Sequence, residues 1–251
     1  MDLLDPGVLI VGGSFAGFRV LNRELHRLIP APSSALRNPW KWRNIWTSFI
    51  HSLLTGSWAL LSFYLLPEMA EDLISTTPSR FSHSLVAVSI GSDLKYHNVI
   101  HISQSAWLKC AVKIIYTERL FEDTFSVITC FGISLLLHRY VGFSVVALLV
   151  EINSIFLHMR QILLMANLVK TITYRLNSLL NLGTYMIFRI TTLAWMTRWL
   201  VLNRENIPLL TYTIGSVGLA IMTVMNIVLF YRLLRSDFLK STRDQQKEKE
   251  K

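Results

Sequence analysis

Charge is what this chain has least of. Only 16% of its 251 residues are Asp, Glu, Lys or Arg, against about 25% in an ordinary soluble domain, too few to cover a surface that faces water on every side. Cysteine is nearly absent too: Cys110 and Cys130 stand far apart, with neither the spacing of a zinc site nor the density of a disulfide scaffold, and read as apolar packing residues. Negative charge is the scarcer sign, with 16 acidic residues against 25 basic ones and a formal net charge of +9. The basic excess sits in short clusters between apolar runs and in the tail, which is the positive-inside bias of a membrane protein and not a nucleic-acid-binding face. No nucleic-acid partner is expected. The first apolar run is preceded by Asp2 and Asp5 in place of the Lys or Arg of a secretory signal, so it reads as a retained span.

What is present is apolar, 52% of the chain, and it is organised in runs of membrane length. At ~1.5 Å per residue, about 20 apolar residues cross the hydrocarbon core. Such runs are expected over 8–21, 45–66, 81–90, 124–137, 141–165, 179–202 and 209–233. The fold class is therefore all-α, a multi-pass transmembrane helical bundle of about seven spans. The third span reads as short or disrupted, because Gly91-Ser92-Asp93 arrives after ten residues. Residues 23–43 read as a basic loop with Trp40, Trp42 and Trp46 at the membrane edge. Three regions follow: an N-terminal span and basic loop over 1–36, the main bundle over 37–235, and a polar tail over 236–251. Basic loops alternate with acidic or weakly charged ones, which places the N-terminus outside and the C-terminus in the cytosol.

Polar groups inside the apolar runs carry the functional question, because ionisable side chains in hydrocarbon are costly and mark a bundle interior, a cavity or a path. In the fifth run Glu151, Ser154 and His158 form one helical stripe, with Asn153 and Arg160 turned away from it. That stripe suits a lipid-headgroup, proton or ion site, and equally a set of interhelical hydrogen bonds. His51 in the second run has the same two readings, proton transfer or packing beside Ser52, Thr55 and Gly56. Arg189 lies mid-span in the sixth run and is the expected partner of Glu151. His97 and His101 have the i, i+4 spacing of a chelating pair but no third ligand, so no metal is expected. Gly13 and Gly17 form a GxxxG helix-packing face.

Three blocks are specific enough to carry a family resemblance: Trp40-Lys41-Trp42-Arg43-Asn44 leading into Ser48-Phe49-Ile50-His51-Ser52-Leu53-Leu54-Thr55-Gly56, Arg139-Tyr140-Val141-Gly142-Phe143-Ser144, and Leu149-Val150-Glu151-Ile152-Asn153-Ser154. They resemble the TLC-domain proteins of the ceramide-synthase superfamily, over residues 8–92 and 127–235. The resemblance implies a helical membrane fold. It also implies a role in setting phospholipid composition and fluidity at the plasma membrane by limiting incorporation of polyunsaturated acyl chains, with membrane phospholipids as partners and no cofactor. His51, Glu151, Ser154, His158 and Arg189 are then candidates to line a lipid cavity. The family's catalytic signature is a pair of adjacent histidines. Counting back from Cys130, Asp123 and Thr124 occupy those positions, and residues 92–122 match no part of the family pattern. Acyl transfer through a histidine pair has no visible general base, so a non-catalytic role is expected, with no catalytic residue assigned. The rivals are an acyltransferase using fatty acyl-CoA and a lipid transporter. The terminal Lys247-Glu248-Lys249-Glu250-Lys251 also has the form of an endoplasmic-reticulum retrieval signal.

Overall fold

The computed structural model describes residues 6–36, 38–71, 73, 79–103 and 130–235. Every regular element among them is helical. Helix α1 is Pro6–Leu28, α2 Pro39–Leu65, α3 Arg80–Ser103, α4 residues 130–137, α5 Val141–Leu148, α6 Val150–Met165, α7 Ile172–Tyr185, α8 Thr192–Leu202 and α9 Leu209–Leu234. Proline sets several of these ends. Pro39 opens α2 at a position where its missing N–H costs nothing, Pro67 lies just past the end of α2, which it cannot continue, and Pro208 stands immediately before α9.

Two expected boundaries move. The basic segment 23–43 is mostly helical, since α1 runs on to Leu28 and α2 begins at Pro39, leaving a short connection with one 3₁₀ turn at Ser33–Ala35. Likewise Arg175, Asn177 and Ser178 lie inside α7, because Thr171 caps that helix by accepting from the Tyr174 N–H at 3.3 Å. Helix α6 ends in the opposite manner. Asn167 takes a left-handed φ of 58°, and Leu168 N–H bonds Leu163 O while Asn167 N–H bonds Leu164 O, the paired closure that satisfies the last carbonyls of a helix.

The expected break in the third run is absent. Helix α3 passes unbroken through Gly91-Ser92-Asp93 for 24 residues, because each of the three is placed by tertiary packing. Gly91 lies against α1, where an added Cβ would come within 2.8 Å of Ser14 Cβ, and Ser14 Oγ donates to Val88 O at 2.8 Å on the same interface. Ser92 bonds His51 on α2, and Asp93 faces a cavity. The GxxxG expectation for α1 is corrected at the same point: a Cβ at Gly13 or Gly17 meets nothing within 4 Å among the described residues. Helix α1 therefore packs on α3 through a different face, the one that carries Val11 and Ser14.

Helix α2 crosses α6 at Gly56, whose absent Cβ would sit 3.2 Å from the Ile152 backbone nitrogen. Helices α5 and α6 join through Leu149 into a 25-residue rod, Val141–Met165, buried at its first half. That rod and the 26-residue α9 are long and apolar enough to cross a membrane. Little of α9 is fully buried, and Leu210, Val217, Val224 and Ile227 turn outward, a surface that suits lipid and not water. The main apolar core gathers Leu85, Val86, Val145, Val146, Leu193 and Met196 from α3, α5 and α8. Residues 104–129 and 236–251 lie outside the described residues, and with them Asp123, Thr124 and the tail; the side chains of His97 and His101 do so as well.

Candidate functional site

A cavity of about 230 Å³ opens between α3, α4, α5, α6, α8 and α9. Its walls are apolar and aromatic, with Phe131, Tyr140, Phe143, Trp199 and Leu219 among them; the Phe143 and Trp199 rings lie 5.7 Å apart. Two carboxyl groups reach it, Asp93 from α3 and Glu151 from α6. No Lys, Arg or His is found among the described lining residues.

Helix packing explains why Glu151 is there. At the close α2–α6 crossing made by Gly56, the Ser52 hydroxyl donates to Glu151 Oε2 across 2.6 Å. Next to Ser52, the His51 ring is buried, with Nδ1 2.8 Å from Ser92 Oγ and its ring in a T-shaped contact with Phe18, centroids 5.5 Å apart. Because Ser92 adjoins Asp93, His51 is tied to the segment that bears the second carboxyl. His158 lies two turns beyond Glu151 on α6 and interacts electrostatically with Glu151, His51 and Arg189.

Arg189 forms a second polar centre. It sits in a π-helical turn, Met186–Thr191, between α7 and α8. Its Nε donates to Asn153 Oδ1 at 2.7 Å, Nη1 to Asn226 Oδ1 at 2.7 Å, and Nη2 to Ser154 Oγ at 2.8 Å, while the guanidinium carbon lies 5.7 Å from the Tyr185 ring centroid. Asn153 in turn donates from Nδ2 to Asn181 Oδ1 at 2.9 Å, and the Tyr185 hydroxyl donates to the Asn226 carbonyl. The guanidinium fork thus spans α6 and α9, a task for which its planar array of donors is suited.

The expected Arg189–Glu151 partnership is replaced by these contacts. Glu151 takes its hydrogen bond from Ser52, and Arg189 binds the amides and hydroxyl of Asn153, Asn226 and Ser154. Of the five candidate residues, Glu151 alone lines the cavity; His51, Ser154, His158 and Arg189 lie behind it. Asn153, expected to turn away from the polar stripe, is fully buried at the α6–α7 interface. Sequence reasoning also missed Asp93, which looked like a helix break, and Asn226, a lone amide in an otherwise apolar run. An unpaired amide in such a run is itself a signal, since hydrocarbon offers it no partner.

Comparison with known proteins shows the family. The family model for the TLC domain matches residues 41–235. TLC domain-containing protein 2 of Danio rerio is 59% identical over 99% of this chain and 97% of its own length, an alignment that runs across residues 92–122. The Homo sapiens protein of that name is 38% identical over 95% of this chain and 87% of its own length. TLC domain-containing protein 1 of Homo sapiens is 33% identical over 94% of this chain and 92% of its own length. No solved structure matches. With its helices of membrane length, its buried polar centres and these relatives, the chain belongs to the TLC-domain family of membrane proteins.

Proposed function

We propose that this protein is a seven-span bundle that regulates membrane phospholipid composition, limiting the incorporation of polyunsaturated acyl chains without itself transferring them. The observation that carries the reading is the apolar cavity with carboxyl groups at its polar side. At about 230 Å³ it has room for part of a lipid chain. A packed apolar wall of fixed shape accommodates straight saturated segments and chains bent by several double bonds differently. That difference in fit supports discrimination by chain type. His51 bonds Ser92 and does not line the cavity, which favours the non-catalytic reading over an acyltransferase using fatty acyl-CoA.

The charge pattern supports an N-terminus outside and a C-terminus in the cytosol, and the family resemblance favours the plasma membrane. The alternative location, the endoplasmic reticulum, rests on the terminal lysines. Lipid analysis of cells lacking the protein, fed a polyunsaturated fatty acid, tests the reading. Phospholipids rich in polyunsaturated chains should rise, and an unchanged lipid profile would overturn it. Microscopy of the full chain with and without Lys247 and Lys249 separates the two locations.

A further inference from the structure

Two N–H donors in the first turns of α2 are buried and have no acceptor among the described residues, Arg43 Nε and Trp46 Nε1. Both groups can only donate, and a buried donor costs stability until something accepts from it. Their neighbours are paired. Trp42 Nε1 donates to Ile29 O at 3.3 Å. Toward α1, Asn22 Nδ2 donates to Asn44 Oδ1 and to Thr47 Oγ1, both at 2.9 Å, and Thr47 Oγ1 donates to the Arg43 carbonyl. T-shaped contacts with Trp42 and Phe49, centroids 6.0 and 5.7 Å away, hold the Trp46 ring in place. Arg43 and Trp46 are neighbours on one side of the helix, and the same side continues through Ile50, Leu54, Ser57 and Leu61. Leu54 is 50% exposed and Leu61 45%, with Leu53 and Leu60 exposed beside them, whereas Ser52, Thr55 and Ala59 are buried toward the bundle. A cation with two unmet donors thus heads an outward apolar strip.

We infer that Arg43 and Trp46 hold the phosphate of one anionic phospholipid, whose acyl chains lie along Leu53, Leu54 and Leu61. The order of groups down the helix is that of the lipid, polar at the membrane edge and apolar below it. Guanidinium donation to a phosphate oxygen is charge-assisted and stronger than a neutral hydrogen bond, and the indole N–H supplies a second donor. The basic-inside charge pattern puts this end of α2 in the cytosolic leaflet, where anionic lipid is concentrated. None of the described residues that line the cavity is on α2, so the lipid sits apart from it. Such a site requires α2 to cross the membrane, but not the role in acyl composition proposed above.

A diffuse attraction of anionic lipid to a basic helix end acts on charge alone. It would treat Arg43 and Lys41, which is exposed on the other side of α2, alike. The test separates the two. The detergent-purified full chain is titrated with dioleoylphosphatidylserine or with dioleoylglycerol, which has the same chains and no phosphate, and bound lipid is read by native mass spectrometry. Wild type should retain the phosphatidylserine at concentrations at least about tenfold below the glycerol lipid. Arg43→Lys keeps the charge and Trp46→Phe keeps the ring, and each removes one placed donor. Each should weaken phosphatidylserine by about threefold or more, and Lys41→Gln by less than about twofold. If one donor variant fails to fold, the other decides. Phosphatidylserine bound equally well by wild type and the donor variants, or weakened as much by Lys41→Gln, overturns the site. Glycerophosphoserine, the headgroup without chains, should leave the lipid in place when added in excess; displacement would overturn the lipid as the source of the phosphate. None of these outcomes moves the acyl-composition reading, which the lipid profiles of cells decide.

Discussion

The Nε of Arg189 donates to Asn153 Oδ1 at 2.7 Å, and through that bond the middle of a helix pair is fastened to the wall of the cavity. The same guanidinium reaches Asn226 on α9 and Ser154 one residue further along α6. Three acceptors on two helices depend on one side chain.

Arg189→Lys should therefore lower the thermal midpoint of the solubilised protein almost as much as Arg189→Ala. An ammonium is a point charge and cannot reach acceptors laid out for a planar fork. Each buried acceptor left unpaired costs about 1–3 kcal/mol. A lysine variant that melts like wild type would show that charge, and not geometry, is what matters at this position.

Ser52 and Glu151 form a pair whose coupling is measurable. Ser52→Ala leaves a carboxyl oxygen with its donor removed, at a cost of about 1–3 kcal/mol. Combined with Glu151→Gln, a double-mutant cycle on unfolding should return an interaction of about 0.5–3 kcal/mol. Additive effects would mean that the 2.6 Å contact contributes nothing to holding α2 on α6.

Glycine positions should separate into two classes. Gly91→Ala pushes a methyl into Ser14 and the Val11 carbonyl and should destabilise by about 1–3 kcal/mol. Gly13→Ala and Gly17→Ala meet no neighbour among the described residues and, by favouring helix, should be neutral or stabilising by up to about 1 kcal/mol. Melting curves of the three variants decide, and the reverse ranking would refute the packing of α1 described above.

At the end of α6, Asn167→Gly should be silent or slightly stabilising, since glycine takes the left-handed φ of 58° without strain. Asn167→Val should cost about 1–2 kcal/mol, because a β-branched residue resists that conformation. A tolerated valine would mean that the helix ends differently.

Much of the fold is legible in the residues, and the parts that are not share one cause. The apolar runs at 45–66 and 209–233 correspond to α2 and α9 because each is continuous enough to read as one helix, although Ser52, His51 and Asn226 within them bond distant partners. Where polarity enters a helix, local patterning misleads. Gly91-Ser92-Asp93 looks like an ending, yet it is the point at which α3 meets α1, α2 and the cavity. Arg189 and Glu151 attract one another on charge alone, but Ser52 and the amides of Asn153 and Asn226 reach them first. Their sequence separations from the groups they bond, 99 residues for Ser52 and Glu151, put those choices beyond any reading of periodicity. Glu151 was recognisable as a functional candidate; the other carboxyl, Asp93, was not, because its role follows from packing.

The π-helical turn at Met186–Thr191 gives this part of the protein slack in its length. An α-helix advances about 100° per residue, and a π turn accommodates one residue more than an α turn does. Deleting a single residue there, with Arg189 kept, returns the turn to regular helix and leaves α8 in nearly its present rotation relative to α7. The same deletion inside the regular helix of α8 ahead of Trp199 has no such slack and rotates Trp199 out of the cavity wall by about 100°. In-frame loss of one codon in this six-residue stretch should therefore be milder than the same loss a turn further on.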